Sequence, residues 1–296
     1  MALADELDCI VQDFPGELGL AVRHLPSEES YLHGPDVIFP MASVFKVPLL
    51  VELYRQVADG RLDLAQPVEI SDALKSPGSG VVKELDPGAR LSVHDLATLA
   101  IIVSDNTATD LLMKLTDGRR TINRTMAELG LHRTSVREDC KGLILMSVGL
   151  DPAERTPELL AEAEERPRDY TSPAFQPDPE RNNVTTPRDL LKLFTLVERR
   201  ALLTREACDA ILDILGRQQL NGRLPLFLPR ETKTAHKTGT LGWTRNDAGI
   251  IYLPGGEPVV VCALSQKVPD DPYMEAKADA TIARAARAVF DHFSAA

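Results

Sequence analysis

A serine and a lysine lie three residues apart at the start of an apolar segment, in Ser43-Val44-Phe45-Lys46. Residues at this spacing share one face of a helix, so a hydroxyl would lie beside an amine. A serine needs an adjacent base to act as a nucleophile, and a lysine serves when burial or a nearby cation lowers its pKa. The motif alone is a weak signal, because about one Ser-x-x-Lys is expected by chance in a chain of this length. A capping serine followed by a surface lysine would give the same pattern.

Two further motifs follow in chain order. Ser104-Asp105-Asn106 lies between two predicted helices, and Lys237-Thr238-Gly239-Thr240 lies on a predicted strand. Each has an ordinary structural interpretation, a helix cap for the first and a protected edge strand for the second. Each triplet is nevertheless expected only about a few hundredths of a time per chain of average composition. Their occurrence together with the Ser43 motif favours an active site.

These three motifs are typical of the penicillin-recognising serine enzymes, and in them the chain resembles the class A β-lactamase family. Ser104 follows Ser43 by 61 residues, a spacing similar to that of the family. Several flanking segments also resemble it: Phe39-Pro40-Met41-Ala42, Ser76-Pro77-Gly78-Ser79-Gly80, Thr185-Thr186-Pro187 and Asn246-Asp247-Ala248-Gly249-Ile250. The resemblance covers about residues 3–293 and implies an α/β domain plus an all-α domain, with the active site in the cleft between them.

The resemblance implies catalytic roles for four motif residues. Ser43 would be the acylated nucleophile, and Lys46 would accept its proton. Ser104 would pass a proton to the leaving lactam nitrogen, and Lys237 would supply positive potential for an anionic substrate.

The resemblance also implies a set of substrate-binding residues. Asn106 would hold the substrate amide, and Thr238 would bind the substrate carboxylate. The backbone N–H groups of Ser43 and Thr240 would form the oxyanion hole, and Gly239 of the same motif would belong to the substrate-binding set. Arg245 would be a second anchor for the carboxylate.

One element of the family pattern is missing. Class A enzymes use a glutamate in a Glu-x-x-Leu-Asn stretch to activate the deacylating water, and this chain has no such stretch. The second and third motifs lie 133 residues apart, further than the family usually shows. By position Glu138 is the candidate for the missing base. Other acids could serve, or each could be a solvated surface residue: Asp139, Glu154, Glu158 and Glu180.

Hydrophobic periodicity predicts helices and strands at both ends of the chain and a helical middle. Predicted helices cover residues 3–14, 43–58, 92–103, 107–115, 121–129, 188–197, 205–215 and 271–293, and predicted strands cover residues 17–25, 31–39, 233–240, 248–253 and 258–266. The fold class is therefore α/β plus all-α, an antiparallel sheet built from both chain ends, flanked by helices, with an inserted helical domain. Residues 1–50 and 217–296 would form the α/β domain, and residues 51–216 the insert.

A proline-rich excursion, residues 151–181, stands apart within the predicted helical domain. It holds six of the 21 prolines and a surplus of acidic residues. A short helix is predicted after Thr156-Pro157, since threonine caps helices and proline favours their first turn. Such a segment is either a lid or binding loop or a simple insertion.

Composition narrows the classes of partner. The formal charge is −11, so nucleic acid and anionic membranes are poor partners. The spacing of Cys9, Cys140, Cys208 and Cys262 matches no zinc motif, and these residues are interpreted as small buried thiols. No cofactor or metal is implied. The first eight residues lack the features of an export signal, which predicts a cytoplasmic protein, or a periplasmic or secreted one if the sequence is a trimmed form.

The sequence therefore predicts a serine hydrolase that opens β-lactam rings through an acyl-enzyme on Ser43. Its partner would be a small molecule with a carboxylate. Two alternatives stay open: an esterase or peptidase that acts on another amide or ester, and a penicillin-binding or sensing module that acylates without turnover.

Overall fold

The computed structural model describes residues 2–295. The helices are α1 Leu3–Gln12, α2 Lys46–Ala58, α3 Val93–Ile102, α4 Asn106–Leu115, α5 Gly118–Glu128, α6 Cys140–Ser147, α7 Pro157–Glu165, α8 Pro187–Glu198, α9 Arg205–Gly216 and α10 Pro272–Ser294. The strands are β1 Glu17–His24, β2 Ser30–His33, β3 Phe39–Pro40, β4 Pro67–Glu69, β5 Arg90–Ser92, β6 Val184–Thr185, β7 Thr234–Leu241, β8 Thr244–Tyr252 and β9 Pro258–Gln266.

Five strands from the two ends of the chain form one antiparallel sheet in the order β2-β1-β9-β8-β7. The prediction of a single sheet built from both chain ends is confirmed. Strand β9 is buried along both faces, because residues on alternate sides enter two different apolar cores. Val260 and Cys262 belong to the core shared with α2, α8 and α9, whereas Val259 and Val261 belong to the core formed with α1 and α10.

The segment that carries Ser43 does not begin as an α-helix. Residues Ala42–Phe45 form a 3₁₀ turn, and α2 starts at Lys46. Pro48 supplies the reason, because it has no N–H for the carbonyl of Val44 and its ring would crowd that carbonyl in a regular helix. The predicted helix over residues 43–58 is therefore wrong in its first turn and right from Lys46 onward.

The predicted strand over residues 31–39 is also wrong, because it divides into two. Strand β2 ends at His33, and β3 pairs with β6 away from the main sheet. Gly34 has a left-handed φ of 54° and is followed by Pro35, and the two residues turn the chain out of the sheet.

Local capping signals elsewhere are confirmed. Ser92 and Asp95 form the expected capping box at α3. Thr156 caps α7 with Pro157 in the first turn, inside the excursion. Helix α6, with Asp139 as its cap, was not predicted. Within residues 2–295, no helix has both the length and the apolar character needed to span a bilayer.

Candidate active site

Ser43 lies on the 3₁₀ turn that precedes α2, against the edge strand β7. The close approach requires glycine at position 239, because a Cβ atom there would lie 2.6 Å from the carbonyl oxygen of Met41. Ala42 has a left-handed φ of 44°, which costs a residue with a Cβ about 1–3 kcal/mol. The surrounding contacts therefore hold the turn in a strained conformation that presents the half-buried Ser43 to the cavity described below.

Lys46 is buried beneath this turn and points at the Ser104 segment. Its Nζ atom donates to the carbonyl oxygen of Ser104 at 2.7 Å, to Ser104 Oγ at 3.2 Å and to Asn106 Oδ1 at 2.9 Å. Only 1% of the residue is exposed. Burial lowers the pKa of Lys46 below its ordinary value, against the opposing charges of Cys140, Asp110 and Asp105.

Lys237 reaches the same hydroxyl from β7. Its Nζ atom donates to Ser104 Oγ at 3.1 Å and to the carbonyl oxygen of Thr238 at 2.8 Å. Burial, followed by repulsion from Lys46, lowers the pKa of Lys237 well below its ordinary value. Ser104 itself has a left-handed φ of 55°, so a second residue with backbone strain lies at the site. The three sequence motifs thus converge on one serine oxygen.

The Ser104-Asp105-Asn106 loop is held by side-chain hydrogen bonds to its neighbours. Asp105 Oδ1 caps α4 through Ala108 N at 2.8 Å, and its Oδ2 accepts from the N–H groups of Val81 and Val82 at 2.6 and 2.8 Å. Asn106 Nδ2 donates to the carbonyl oxygen of Pro77 at 2.9 Å. Asp105 is therefore a positioning residue, and Asn106 is fixed from both sides by Pro77 and Lys46.

A cavity of about 460 Å³ opens at these residues. Its lining includes five of the residues predicted for the site, namely Ser43, Ser104, Asn106, Thr238 and Thr240. The three motifs, separated by 61 and 133 residues in the chain, therefore meet at one cavity. Lys46 and Lys237 contact this site through their hydrogen bonds to Ser104 Oγ. The catalytic and binding roles of these residues stay predictions.

A family model described as "Beta-lactamase enzyme family" matches residues 2–293. The chain belongs to this family. It is 28% identical over 275 residues to the extended-spectrum β-lactamase PER-1 of Pseudomonas aeruginosa, a match that covers 88% of this chain and 78% of that protein. A solved β-lactamase from Sphaerobacter thermophilus has a TM-score of 0.77 and 29% identity, with 96% and 94% of the two chains covered. A variant of PBP-A, solved as an acyl-enzyme complex with penicillin G, has a TM-score of 0.79 and 26% identity, with 99% and 97% covered.

The structure corrects the placement of Arg245 in this β-lactamase-family chain. Arg245 does not line the cavity, because its guanidinium pairs with Glu275 at 2.9 Å and with Asp279 at 2.5 Å. The guanidinium that contacts the motif is that of Arg223, which sequence reasoning missed. Its Nη2 atom donates to Thr240 Oγ1 at 2.6 Å, and its Nε atom pairs with Asp279 at 2.6 Å. No motif marks Arg223, since a lone arginine in a loop carries no sequence signal.

The structure also corrects the placement of Glu138. Its carboxylate pairs with Arg155 at 3.0 Å and Arg119 at 3.4 Å and lines other cavities. It lies against Gly142, where a Cβ atom would come within 2.3 Å of Glu138 Oε2. Burial raises the pKa of Glu138, and the two arginines oppose the increase. Asp139 is also engaged elsewhere, as the cap of α6 and as a partner of Arg155.

Helix α6 forms part of the wall of the cavity that Ser43 lines. Cys140, Leu143 and Ile144 line the cavity, whereas Gly142 faces Glu138 on the other side of the helix. The spacing Cys140-x-x-Leu143-Ile144 is that of the missing Glu-x-x-Leu-Asn stretch, with a thiol in place of the carboxylate. Sequence reasoning missed this correspondence, because a search for a glutamate passes over a cysteine.

The cysteines differ from one another in their surroundings. Cys140 lies in the cavity wall near the Lys46 charge, but burial raises its pKa well above the ordinary value, so the thiol form is favoured. Cys208 and Cys262 are buried, as predicted, whereas Cys9 is exposed, contrary to the prediction.

Asp110 fixes α6 against α4, one turn after Asn106. Its Oδ1 accepts from Cys140 N at 2.7 Å, and its Oδ2 accepts from Lys141 N at 3.1 Å and from Ser76 Oγ at 2.7 Å. Burial, and then the charge of Asp139, raises the pKa of Asp110 to about 6. This carboxylate thus holds the start of the α6 wall in place.

The outer wall of the cavity comes from the proline-rich excursion. Ala163, Glu164, Arg166 and Arg168 line it. Among the lining residues that the structure describes, Glu164 carries the one carboxylate. Its Oε1 accepts from Gly78 N at 3.2 Å and lies 3.7 Å from Lys83 Nζ. The excursion is therefore a part of the site, and the sequence had left that question open.

Proposed function

We propose that this chain opens β-lactam rings with Ser43, forms an acyl-enzyme, and hydrolyses that acyl-enzyme slowly. The observation that carries the first two steps is the pair of buried amino groups of Lys46 and Lys237, 3.2 and 3.1 Å from Ser104 Oγ at the cavity that Ser43 lines. Family membership supports the same chemistry at a coarser level, that of a β-lactamase-like serine hydrolase.

In the proposed acylation, Ser43 Oγ attacks the lactam carbonyl carbon while its proton passes to the neutral amine of Lys46. The carbonyl oxygen becomes an oxyanion, for which the N–H groups of Ser43 and Thr240 are the candidate donors. The C–N bond then breaks, and the lactam nitrogen takes a proton from Ser104 Oγ. Ser104 regains a proton from the ammonium of Lys46, which lies within hydrogen-bonding distance of that oxygen.

Slow deacylation is inferred from the α6 wall. Hydrolysis of an ester needs a water molecule with a base beside it, and a carboxylate is the usual choice. Cys140, Leu143 and Ile144 supply no carboxylate. Glu164 lies at the rim, where half of its side chain is exposed and its carboxylate is engaged by Lys83 and Gly78. This wall favours the penicillin-binding or sensing alternative over rapid turnover.

The test is the intact protein mass measured over time after mixing with benzylpenicillin. We expect one adduct per chain that forms on wild type and persists after excess penicillin is removed. The Ser43→Ala variant should form none, while Ser30→Ala, an exposed serine on β2, should behave as wild type. Adduct formation on Ser43→Ala would overturn the nucleophile assignment, and rapid loss of the adduct would overturn slow deacylation.

The absence of any adduct and of any product would overturn the proposed β-lactam chemistry altogether. A p-nitrophenyl ester or D-Ala-D-Ala peptide turned over by wild type but not by Ser43→Ala would then support the esterase or peptidase alternative. Turnover of the ester or the peptide would show that the site is active on another substrate, whereas no turnover of either would indicate an inactive site.

A further inference from the structure

Two arginines of the excursion line the same cavity as Ser43, Thr238 and Thr240. Arg166 follows the end of α7, and Arg168 lies two residues later. Helix α7 is packed against α6 through a small apolar cluster that includes Leu145, Val148 and Ala163. The segment that carries the two arginines is therefore anchored to the wall that it extends.

The two arginines differ in their partners. Arg166 pairs with Glu162 one turn earlier on α7, where its Nε atom lies 2.8 Å from Oε1. Arg168 Nη1 donates to the neutral hydroxyl of Ser147 at 2.7 Å. In the described part of the chain, no carboxylate comes within 4.0 Å of the Arg168 guanidinium. A cation held by a hydroxyl and exposed to solvent keeps donors free for an anion.

Basic side chains outnumber acidic ones among the described residues that line the cavity, although the protein is acidic. Lys46 and Lys237 lie beneath it and the two arginines lie at its outer wall, whereas Glu164, which within residues 2–295 is the one lining carboxylate, faces Lys83. The chain as a whole carries a formal charge of −11. A cleft of this sign on an acidic surface concentrates anions locally.

We propose that Arg168, assisted by Arg166, is a second anion subsite that selects substrates with a carboxylate on the acyl group. This inference rests on the proposed function, in which the first carboxylate binds near Thr238 and Thr240 on β7. The arginines belong to the excursion and not to β7, so we assign them a second carboxylate of the substrate. The preferred substrate would then be a dianion with one carboxylate beside the scissile amide nitrogen and another on the acyl side chain.

Two penicillins that differ by one carboxylate test the proposal, namely benzylpenicillin and α-carboxybenzylpenicillin. The second-order rate constant of acylation is measured for each penicillin by intact mass. The quantity compared is the rate constant for the dianion divided by that for the monoanion. In Arg168→Gln we expect this ratio to fall about two- to fivefold, the range for a partly exposed ion pair. The wild-type ratio should also fall as salt is raised, since salt screens such a pair.

The matched control is Arg181→Gln. Arg181 belongs to the same excursion, is exposed, and lines the cavity beside Glu138 instead. Its dianion-to-monoanion ratio of rate constants should equal that of wild type. This result would show that removing one positive charge from the excursion is not sufficient to lower the ratio. Thermal unfolding of both variants checks that each is folded.

The outcomes are separable. If both penicillins acylate Ser43 and the ratio is unchanged in Arg168→Gln, the second subsite is wrong while the proposed function stands. An equal fall in Arg181→Gln and Arg168→Gln would also overturn the subsite. If neither penicillin acylates wild type, the proposed function fails, and the subsite fails with it.

Discussion

The Nζ atom of Lys237 lies 3.1 Å from the Oγ atom of Ser104. These residues come from motifs 133 positions apart, and the contact closes the site between the edge strand β7 and the loop before α4. Lys46 meets the same oxygen at 3.2 Å from a third direction. Two buried amines at one hydroxyl repel each other when both are charged, so the arrangement favours a neutral amine.

The first prediction concerns the pH dependence of acylation. Lys46 must be neutral to accept the Ser43 proton, so the acylation rate constant should rise with pH to a plateau. Because burial lowers the pKa of Lys46 from 10.5, the midpoint should lie below 10.5. Rapid-mixing acylation assays from pH 5 to pH 10 would measure it.

A matched pair of lysine variants checks that assignment. Lys46→Arg keeps the charge but cannot lose its proton, so acylation should fall about 10²- to 10⁴-fold at every pH. Lys192→Arg, at an exposed position on α8, should match wild type. An unchanged pH profile in Lys46→Arg would show that another group takes the proton.

The second prediction concerns Cys140. A carboxylate introduced at this position of the α6 wall would lie in the cavity that Ser43 lines, where it could activate a water molecule. Cys140→Glu should therefore shorten the lifetime of the penicilloyl adduct by about 10²-fold or more, and Cys140→Ser should not. Intact mass after removal of excess penicillin gives the lifetime.

Variants of Glu138 and Glu164 test whether either existing glutamate already acts as the deacylating base. Glu138→Gln should leave the adduct lifetime unchanged, because the carboxylate faces Arg155 behind α6. Glu164→Gln should also leave it unchanged, because Gly78 and Lys83 engage that carboxylate at the rim. A longer lifetime in either variant would identify that glutamate as the deacylating base and contradict the inference of slow, unassisted hydrolysis.

Local sequence signals predicted strand β9 and the start of helix α3. The continuous apolar run of β9 and the capping box at Ser92 depend on nearest neighbours, which a single sequence displays. The motifs predicted that Ser43, Ser104 and Thr238 share one site, because the residue types and their order resemble those of the family. All three residues line the same cavity. The proposed division into residues 1–50 with 217–296 and 51–216 stays a prediction.

The errors came from contacts that only the folded chain creates. Glu138 and Cys140 are two residues apart, and the turn of α6 places the cysteine in the cavity wall and the acid near Gly142 on the other side. Arg245 and Arg223 both pair with Asp279, and the side chain that reaches Thr240 Oγ1 comes from Arg223, in a loop with no periodic pattern. No sequence rule decides such choices between neighbouring side chains.

The third prediction separates those two arginines. Both bind Asp279, so Arg223→Gln and Arg245→Gln should each lower the free energy of unfolding by about 1–3 kcal/mol. Arg223 donates a side-chain hydrogen bond to Thr240 Oγ1, whereas the Arg245 guanidinium pairs with Glu275 and Asp279, so Arg223→Gln alone should also lower the second-order rate constant of acylation, by about tenfold. Equal kinetic losses in the two variants would show that they act through stability alone.

The last prediction concerns the stability of the α6 wall and the charge of Asp110. The pKa of this carboxyl rises from its ordinary value of 3.8 to about 6 in the folded protein, chiefly by burial. A raised carboxyl pKa means that the folded state holds the proton more tightly, so the associated stability is full below pH 3.8 and is lost as pH rises through about 6. The difference corresponds to about 3 kcal/mol.

The variant Asp110→Asn removes this titration. In this variant the side-chain NH₂ group, a donor, faces the N–H group of Lys141, which is also a donor. The mismatch lowers the free energy of unfolding by an amount that does not vary with pH. Between pH 4 and pH 7, urea unfolding should therefore show wild type losing stability relative to Asp110→Asn, by up to about 3 kcal/mol. Asp139, Lys141, Cys140 and Lys46 surround the carboxylate, and their charges are common to both proteins. Parallel stability curves for the two proteins would show that Asp110 is ionised at little cost.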